Sequence, residues 1–562
     1  MHPLLTDQPG EKLLLLGNEA IARGAIEAGV GLAAAYPGTP SSEIANTLFQ
    51  ISRETDLCFE FSVNEKVAME VAAAGAAAGV RTLTCMKHVG LNVAADALMT
   101  LAYIGIKAGM VIVTADDPSM HSSQNEQDNR FYARLSGLPM LEPANPQEAK
   151  EMTVFAFELS ERLELPVILR TTTRTSHVRA PVTLGPLPET TRTKGHFEKE
   201  PGRFVPVPAV ARARHQVLLQ RGKEAQVMAD GSRFNQRIGQ GSLGIITSGV
   251  AVNYVLDALE ALEIQDRVEV LKLGFTHPWP VGLLSEFLKS VETVLVVEEL
   301  EPYLEEAARV VAQERGIKVD ILGKASGHLP RLYEFNPAQI REVIAEVAGI
   351  EHHPPQRPDL SWLPELPPRP PSLCPGCPHR ETYLIIKDVL KDLGEEAIYP
   401  TDIGCYTLGL LPPIQMADYL ICMGSSVGSA CGFSATTDQR IISFIGDSTL
   451  FHAGLSPLVN AVYNRHRFTL VVLDNETTAM TGHQPTPSQE IMPPGYEHPR
   501  VSIEEICRAA GVKKVVTINP YQKKEAREKV KKALEGRDLS VIVSRAPCIL
   551  YARKFGISKA KS

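Results

Sequence analysis

Residues 441–480 read IISFIGDSTLFHAGLSPLVNAVYNRHRFTLVVLDNETTAM, and this stretch decides the fold. It holds two short apolar runs, IISFIG and FTLVVLD, which are typical of strands buried on both faces of a parallel sheet. Asp447 follows the first run, and Asn475 follows the second run 28 positions later. Because ligands of open α/β folds bind where the carboxyl ends of parallel strands meet, we expect Asp447 and Asn475 to lie together at such an edge.

The residue types at this edge indicate a cation bound to a phosphate group. Asp447 and Asn475 offer hard oxygen ligands of the kind that Mg²⁺ accepts when it bridges a diphosphate, and Gly446 lets the backbone approach a phosphate closely. Two unrelated turns are the alternative, since Gly-Asp and Asp-Asn pairs are common in turns. The string DNETTAMTGHQPTP at 474–487, with its glycine and hydroxyl residues, favours a phosphate and substrate loop.

Outward from this stretch, short apolar runs alternate with helical patterns in two further parts of the chain, which predicts an α/β fold with mostly parallel sheets. A Pro-rich segment separates off the last part, because proline lacks the backbone donor that helices and central strands need. The predicted organisation is three α/β units at 1–185, 241–350 and 372–562, an irregular connection with room for one helix at 186–240, and a linker at 351–371.

Length and composition exclude several classes of protein. A chain of 562 residues is longer than one core supports, and 44% hydrophobic with 22% charged residues is typical of a globular protein. The net charge of −8 argues against a nucleic-acid partner. The N-terminal residues do not follow the signal-peptide pattern, and no apolar run is long enough to span a bilayer, so we expect a cytoplasmic protein without a membrane partner.

Nine cysteines occur in the chain, and in a cytoplasmic protein disulfides are not expected. Cysteines in apolar surroundings are usually small core residues. That prediction is made for Cys58, Cys85, Cys422, Cys431 and Cys507.

The other four cysteines belong to the third predicted unit. Cys374 and Cys377 have C-x-x-C spacing in SLCPGCPHR, Cys405 lies in TDIGCYTLG, and Cys548 lies in SRAPC. Soft thiolates favour Zn²⁺ or an iron-sulfur cluster. Two close and two distant cysteines that bracket a whole unit suit a buried cluster better than a compact zinc finger, with a structural zinc site as the alternative.

Gly446-Asp447-Ser448 and the later asparagine resemble the thiamine-diphosphate motif, which runs Gly-Asp-Gly and then Asn about two dozen residues on. Ser448 stands where the motif has its second glycine, which loosens the match. The resemblance implies that Asp447, Asn475 and the backbone carbonyl of Thr477 bind Mg²⁺, and that Gly446 and Ser448 lie at the cofactor.

Thiamine chemistry also needs a carboxyl group at the aminopyrimidine N1′. Asn64-Glu65, followed by KVAMEVAAAGAAAG, resembles the element that supplies this group in thiamine enzymes. Glu65 is therefore the predicted activating residue, with Glu70 on the same helix as the alternative. For either residue, an ordinary exposed helix carboxylate remains a further interpretation.

Upstream, YPGTPSSE at 36–43 resembles the turn that presents a threonine to the substrate carboxylate in 2-oxoacid oxidoreductases, which points to Thr39. A plain helix start capped by Ser41 or Ser42 is the alternative. Lys87-His88 and the string at 115–130 are the other dense polar clusters. Within that string, His121 and Arg130 are candidates to orient an anionic substrate, and a solvated loop explains them nearly as well.

Taken in order, CPGCPHR, DIGCY, GDS, DNxTTAMTG and APC, with YPGTPSSE, NEK and MKHVGLN near the start, resemble large subunits of the indolepyruvate:ferredoxin oxidoreductases. The resemblance covers essentially the whole chain. It implies two thiamine-diphosphate-binding domains and one domain of the transketolase C-terminal type. The cofactors implied are thiamine diphosphate, Mg²⁺ and one 4Fe-4S cluster, the last held by Cys374, Cys377, Cys405 and Cys548.

The implied reaction is oxidative decarboxylation of an aryl or branched 2-oxoacid to an acyl-coenzyme A, with electrons leaving through the cluster. The implied partners are a small subunit, in a heterotetramer or larger assembly, and ferredoxin or another redox subunit. Large subunits of this family commonly end in a ferredoxin-like domain that this sequence does not show, which leaves the electron acceptor open. A non-oxidative thiamine-dependent decarboxylase and a non-catalytic scaffold subunit are the alternatives.

Overall fold

The computed structural model describes residues 2–353, 359–367, 369–490 and 498–556. The chain divides into two compact units, Met1–Asp359 and Leu360–Ser562. The boundary between the units falls inside the Pro-rich segment 351–371, part of which lies outside the described residues.

The strands are β1 (Lys12–Leu16), β2 (Leu32–Ala35), β3 (Cys58–Phe61), β4 (Thr82–Lys87), β5 (Met110–Asp116), β6 (Met140–Leu141), β7 (Val167–Thr172), β8 (Arg179–Thr183), β9 (Gln236–Gly239), β10 (Leu243–Ser248), β11 (Val268–Leu273), β12 (Phe275–His277), β13 (Thr293–Val297), β14 (Asp320–Leu322), β15 (Ala397–Ile398), β16 (Arg440–Gly446), β17 (Thr469–Asp474), β18 (Lys514–Ile518) and β19 (Ser540–Arg545).

The α-helices are α1 (Gly17–Glu27), α2 (Ser42–Ser52), α3 (Glu65–Ala77), α4 (His88–Val93), α5 (Ala95–Ile104), α6 (Arg130–Ser136), α7 (Pro146–Leu163), α8 (Thr173–His177), α9 (Pro201–Phe204), α10 (Pro208–Asp230), α11 (Ala251–Ala261), α12 (Val281–Ser290), α13 (Tyr303–Arg315), α14 (Pro337–Val347), α15 (Pro378–Leu393), α16 (Ser425–Thr436), α17 (Asp447–Thr449), α18 (Leu455–Tyr463), α19 (Ile503–Ala509), α20 (Lys523–Leu534) and α21 (Ile549–Phe555).

The first unit contains two large sheets. A seven-stranded sheet has the order β12-β6-β7-β5-β4-β2-β3, with only β12 antiparallel to its neighbour. Its central strands β4, β5 and β7 are almost entirely buried, as strands covered by helices on both faces must be. A five-stranded sheet has the order β14-β13-β10-β11-β9, with β9 antiparallel. Strand β12 follows β11 of the five-stranded sheet in the sequence and pairs with β6 of the seven-stranded sheet. The chain therefore connects the two sheets directly at this point.

A buried ion network also joins the two sheets of the first unit. Arg130 is only 1% exposed and pairs with Asp128 at 2.6 Å and Glu298 at 2.5 Å. A buried charge is tolerated when it is paired in this way. Both interpretations of Arg130 from the sequence are therefore wrong, because its guanidinium is occupied by protein carboxylates and is not in solvent. His121 is exposed and lies 3.1 Å from Glu334.

The second unit is built on one five-stranded parallel sheet with the order β15-β16-β17-β19-β18. Clusters of buried apolar side chains cover both of its faces. The strands alternate with helices, as the apolar runs in the sequence predict. This confirms the α/β class with mostly parallel sheets for both units.

Two of the five cysteines predicted for the core lie outside it. Cys58 and Cys422 are exposed, whereas the other three cysteines predicted for the core are buried. Cys58 begins the edge strand β3 and Cys422 precedes α16 in a loop, so apolar neighbours in sequence do not cover them. The connection at 186–240 contains the 23-residue helix α10. Within the described residues, no helix is both long enough and apolar enough to cross a bilayer.

Candidate functional site

The second unit places the two predicted oxygen ligands side by side. Strands β16 and β17 are parallel neighbours, with Gly446 opposite Leu473 near their carboxyl ends. Asp447 directly follows β16 and is 3% exposed, and Asn475 directly follows β17 and is 6% exposed. The predicted meeting of Asp447 and Asn475 at one carboxyl edge is confirmed.

Negative charge is concentrated at this edge. The Ser488 hydroxyl lies 3.0 Å from an Asp447 oxygen and 3.3 Å from an Asp474 oxygen, and Arg545 pairs with Asp474 at 2.7 Å. Burial, reinforced by the neighbouring Asp474, holds the pKa of Asp447 well above its usual range. The two buried carboxyl groups disfavour each other's ionisation, and a divalent cation at this edge would relieve that repulsion.

The described residues contain no cluster of three or more His, Cys, Asp or Glu side chains that could hold a metal ion. The ligand set predicted from the sequence has a different chemistry, since it combines one carboxylate, Asp447, with the amide of Asn475 and a backbone carbonyl. Such a set suits Mg²⁺, which usually takes one or two carboxylates and completes its shell with phosphate oxygens and water.

Hydrogen bonds hold Asn475 in one orientation. Its Nδ2 donates to Nε2 of His379 at 3.1 Å, and its Oδ1 accepts from the Thr477 N–H at 3.3 Å. Burial lowers the pKa of His379 to about 4, so this ring is a neutral acceptor. The Thr477 hydroxyl donates to the Gln484 carbonyl at 3.1 Å, and the Thr478 hydroxyl donates to that of Ser448 at 3.1 Å. The loop at 474–487 is therefore folded back onto the sheet edge.

Asp402, which was not predicted from the sequence, supports the same edge. Its carboxylate accepts from the Gly424 N–H at 2.5 Å and from the Ser426 N–H at 3.0 Å, which fixes the start of α16. Burial raises the pKa of Asp402 to about 6, although these N–H groups act in the opposite direction. The one indication in the sequence is that Asp402 lies in TDIGC, three residues before Cys405.

Gly446 is required by close packing against an aromatic ring. A Cβ atom at Gly446 would lie 2.7 Å from Cε1 of Tyr406. The Tyr406 hydroxyl donates to the Ile403 carbonyl at 3.2 Å, so the ring cannot easily move away. The sequence predicted a glycine that allows a phosphate to approach, and the structure adds this second reason for it.

The four cysteines of the third predicted unit all lie in the second unit of the structure, where Cys405 interacts electrostatically with the other three thiols. The Cys377 N–H donates to the Cys374 carbonyl at 3.0 Å, and Cys548 lies at the start of α21 with its Sγ 3.8 Å from Nε2 of His483. Burial, together with the other three thiols, raises the pKa of Cys405 to about 12. Thiolates are soft donors of the kind that iron-sulfur clusters and Zn²⁺ take, although in the described residues these four do not form a group close enough to hold a metal ion.

In the first unit, Glu65 is the first residue of α3. The Asn64 side chain caps this helix by accepting from the Val67 N–H at 2.9 Å. Glu65 is 5% exposed, whereas Glu70 is exposed and pairs with Lys66. The structure thus separates the two candidates, since it buries the first and leaves the second in solvent.

Gly90 makes room for the Glu65 carboxylate. A Cβ atom at Gly90 would lie 2.6 Å from Oε1 of Glu65 and 2.8 Å from its Cγ. Gly90 belongs to α4, in the string MKHVGLN that follows β4. The string itself predicts no such role, and the contact places it against the predicted activating residue Glu65.

Thr39 lies part-exposed in the turn between β2 and α2. The Ser41 hydroxyl donates to the Gly38 carbonyl at 2.8 Å and caps no N–H of α2. Gly38 contacts the stem of Lys87, because a Cβ atom there would lie 2.9 Å from Lys87 Cγ. The turn that carries Thr39 therefore packs directly against Lys87, the last residue of β4.

Two family models match the chain. Residues 23–229 match "Pyruvate flavodoxin/ferredoxin oxidoreductase, thiamine diP-bdg", a range that contains Thr39 and Glu65. Residues 402–544 match "Thiamine pyrophosphate enzyme, C-terminal TPP binding domain", a range that contains Asp447 and Asn475. The two groups of predicted cofactor residues therefore lie in separate matched ranges.

Known proteins resemble the chain over nearly its whole length. Indolepyruvate oxidoreductase subunit IorA of Methanothermobacter thermautotrophicus is 54% identical over 98% of this chain and 89% of its own length. The subunit of the same name from Thermococcus kodakarensis is 46% identical over 98% of this chain and 87% of its own length. A solved 2-oxoglutarate:ferredoxin oxidoreductase from Magnetococcus marinus aligns at 18% identity over 60% of this chain and 65% of that chain, with a TM-score of 0.49.

Proposed function

The chain belongs to the indolepyruvate oxidoreductase subunits of the thiamine-diphosphate-dependent 2-oxoacid:ferredoxin oxidoreductase family, and from this membership we propose that it oxidatively decarboxylates an aryl or branched 2-oxoacid, such as indolepyruvate or phenylpyruvate, to an acyl-coenzyme A. One observation carries the oxidative part of the proposal: the Asn475 carbonyl accepts a hydrogen bond from the Cys548 N–H at 3.0 Å. This bond joins the predicted Mg²⁺ edge to the backbone of Cys548, one of the four cysteines. A simple decarboxylase needs no such thiol group.

When bound, thiamine diphosphate supplies a nucleophilic carbon for the keto group and an electron sink for decarboxylation. Asp447, Asn475 and the Thr477 carbonyl would hold its Mg²⁺, with Gly446 and Ser448 beside the diphosphate. Glu65 would hold the proton at the aminopyrimidine N1′. Burial of Glu65 supports this role, because a carboxyl group that is shielded from water can make a direct hydrogen bond to a bound ligand.

Thr39 would donate a hydrogen bond to the substrate. Its hydroxyl lies in a turn at the carboxyl edge of the seven-stranded sheet, between β2 and α2. Substrates of α/β enzymes bind at this kind of edge. A hydroxyl donor at this edge orients the 2-oxoacid and leaves the charge of the substrate unchanged. The carboxylate can therefore still depart as CO₂.

Cys374, Cys377, Cys405 and Cys548 would hold one 4Fe-4S cluster, which when bound accepts electrons one at a time. Ferredoxin or another redox subunit would then take the electrons, and a small subunit would complete a heterotetramer or larger assembly. A cytoplasmic location is part of the proposal, because nine free thiols and a cluster of this kind need a reducing compartment.

The test is an anaerobic assay of iron and acid-labile sulfide, with a visible spectrum, on the purified chain and on a Cys374→Ser/Cys377→Ser variant. Cys58→Ser is the matched control, because Cys58 is exposed and lies in the other unit. About four irons and four sulfides per chain, lost in the double variant and kept in the control, are expected. Zinc or no metal in strictly oxygen-free protein would overturn the oxidative proposal in favour of a decarboxylase or a scaffold.

A further inference from the structure

We propose that Lys87 supplies the positive charge that binds the carboxylate of the 2-oxoacid, beside Thr39 and Glu65. The inference rests on the proposed function, because it assigns a role within that substrate site. It gives the first unit a group that separates anionic from neutral substrates, which the hydroxyl of Thr39 cannot do alone.

The fold places Lys87 at the edge where the substrate is expected. Strand β4 ends at Lys87 and pairs in parallel with β2, and the chain leaves β2 directly into the turn that carries Thr39. The Lys87 stem packs against Gly38, because a Cβ atom built on Gly38 would lie 2.9 Å from Lys87 Cγ. The stem is therefore held along the turn, and a larger residue in place of Gly38 would displace it.

The ammonium group has unused donors. Lys87 is part-buried, and its Nζ donates to the Ser122 carbonyl at 2.8 Å. In the parts of the chain that the structure describes, no carboxylate forms an ion pair with this ammonium group. An ammonium group has three N–H donors, and charged groups away from water are normally paired. A carboxylate is the ligand that satisfies both requirements.

The acidic neighbours of Lys87 are engaged elsewhere. Asp117 accepts from the Ser122 N–H at 2.8 Å, from the Ser123 hydroxyl at 2.6 Å and from the Thr173 hydroxyl at 2.7 Å. Glu65 lies against Gly90. Burial lowers the pKa of Lys87 to about 8, against the opposing effect of Asp117 and Glu65. The group is therefore mostly cationic at neutral pH but poorly neutralised by the protein.

The chemistry defines what Lys87 contributes. The 2-oxoacid carboxylate is anionic when it binds and leaves as neutral CO₂, so a cation stabilises the bound substrate more than the transition state of decarboxylation. Lys87 is thus a positioning residue for the substrate. Its loss is expected to weaken binding strongly and to change kcat little.

The experiment uses the holoenzyme complex and two ligands of the same shape, 3-phenylpropionate and its neutral amide. Calorimetric Kd values are measured for wild type, Lys87→Met, Lys87→Arg and Lys87→Gln. Lys66→Met is the matched control, since Lys66 is exposed on α3 and pairs with Glu70. Lys87→Met and Lys87→Gln should weaken carboxylate binding about 10- to 100-fold, the equivalent of one charge-assisted hydrogen bond.

The amide should bind all variants equally, and Lys87→Arg should restore most of the carboxylate affinity. KM for the oxidised 2-oxoacid should rise in parallel with Kd. Unchanged carboxylate binding in Lys87→Met, or an equal loss for acid and amide, overturns the inference. Every 2-oxoacid carries the carboxylate, so KM is measured with whichever acid the wild type oxidises. A wild type that oxidises none refutes the proposed function itself, and the role of Lys87 falls with it.

Discussion

Replacing Gly90 by alanine displaces the Glu65 carboxylate while leaving its chemistry unchanged. The added Cβ would lie 2.6 Å from Oε1, 2.8 Å from Cγ and 3.0 Å from Cδ of Glu65. Since unstrained contacts need about 3.5 Å, the carboxylate must retreat by roughly 0.5–1 Å. A displacement of about 1 Å at a reacting group can cost on the order of 100-fold in rate. We therefore expect kcat to fall about 10- to 100-fold.

Stability should not fall with activity, because the clash is with the end of a flexible side chain and alanine is favoured over glycine in a helix by roughly 0.5–1 kcal/mol. The control is Gly222→Ala in α10, where nothing lies within 4 Å of the added Cβ. Steady-state kcat, thiamine diphosphate affinity and thermal unfolding are measured for both variants and for Glu65→Gln, which should abolish turnover while cluster absorbance stays intact.

The double variant Gly90→Ala/Glu65→Gln decides how the effect arises, and it is compared in thiamine diphosphate affinity because Glu65→Gln abolishes turnover. If Gly90 acts only through the residue 65 side chain, the double variant binds thiamine diphosphate no more weakly than Glu65→Gln alone, and the two losses are not additive. A Gly90→Ala enzyme with wild-type kcat would refute the assignment of Glu65. Equal losses of activity and of thermal stability would instead show that the glycine serves the packing of α4.

Three further outcomes are expected. Asp447→Ala should weaken thiamine diphosphate binding in a Mg²⁺ titration by tenfold or more. The control is Asp438→Ala, which removes an exposed carboxylate of the same unit and should leave the affinity unchanged. Equal affinities in the two variants would remove Asp447 from the site. His379→Ala should weaken the same Mg²⁺ dependence several-fold by freeing the Asn475 amide, and added imidazole should restore part of the affinity because the ring is the acceptor of that amide. An unchanged Mg²⁺ dependence would contradict this role. Because Lys87 is cationic below its pKa of about 8 and neutral above it, kcat/KM should fall as pH rises through about 8, and Lys87→Arg should remove that fall.

The edge that holds Asp447 and Asn475 was predictable because it depends only on local pattern. Two apolar runs mark two strands, and a polar residue after each strand marks the shared carboxyl edge. The ion pair of Arg130 was not predictable, since its partner Glu298 lies 168 positions away in the sequence. Cys58 shows another limit, because apolar neighbours in the sequence do not reveal that a strand will lie at the edge of its sheet.

Asn475 links the two sites of the second unit. Its side chain donates to His379, two residues after Cys377, and its carbonyl accepts from the backbone of Cys548. These two hydrogen bonds, of 3.1 and 3.0 Å, hold Asn475 between α15, which follows Cys377, and the backbone of Cys548. If Asn475 binds Mg²⁺ and the cysteines hold a cluster, as proposed, the cofactor and the cluster share this support. A shared support keeps the distance between electron donor and acceptor constant, which suits the transfer of one electron at a time.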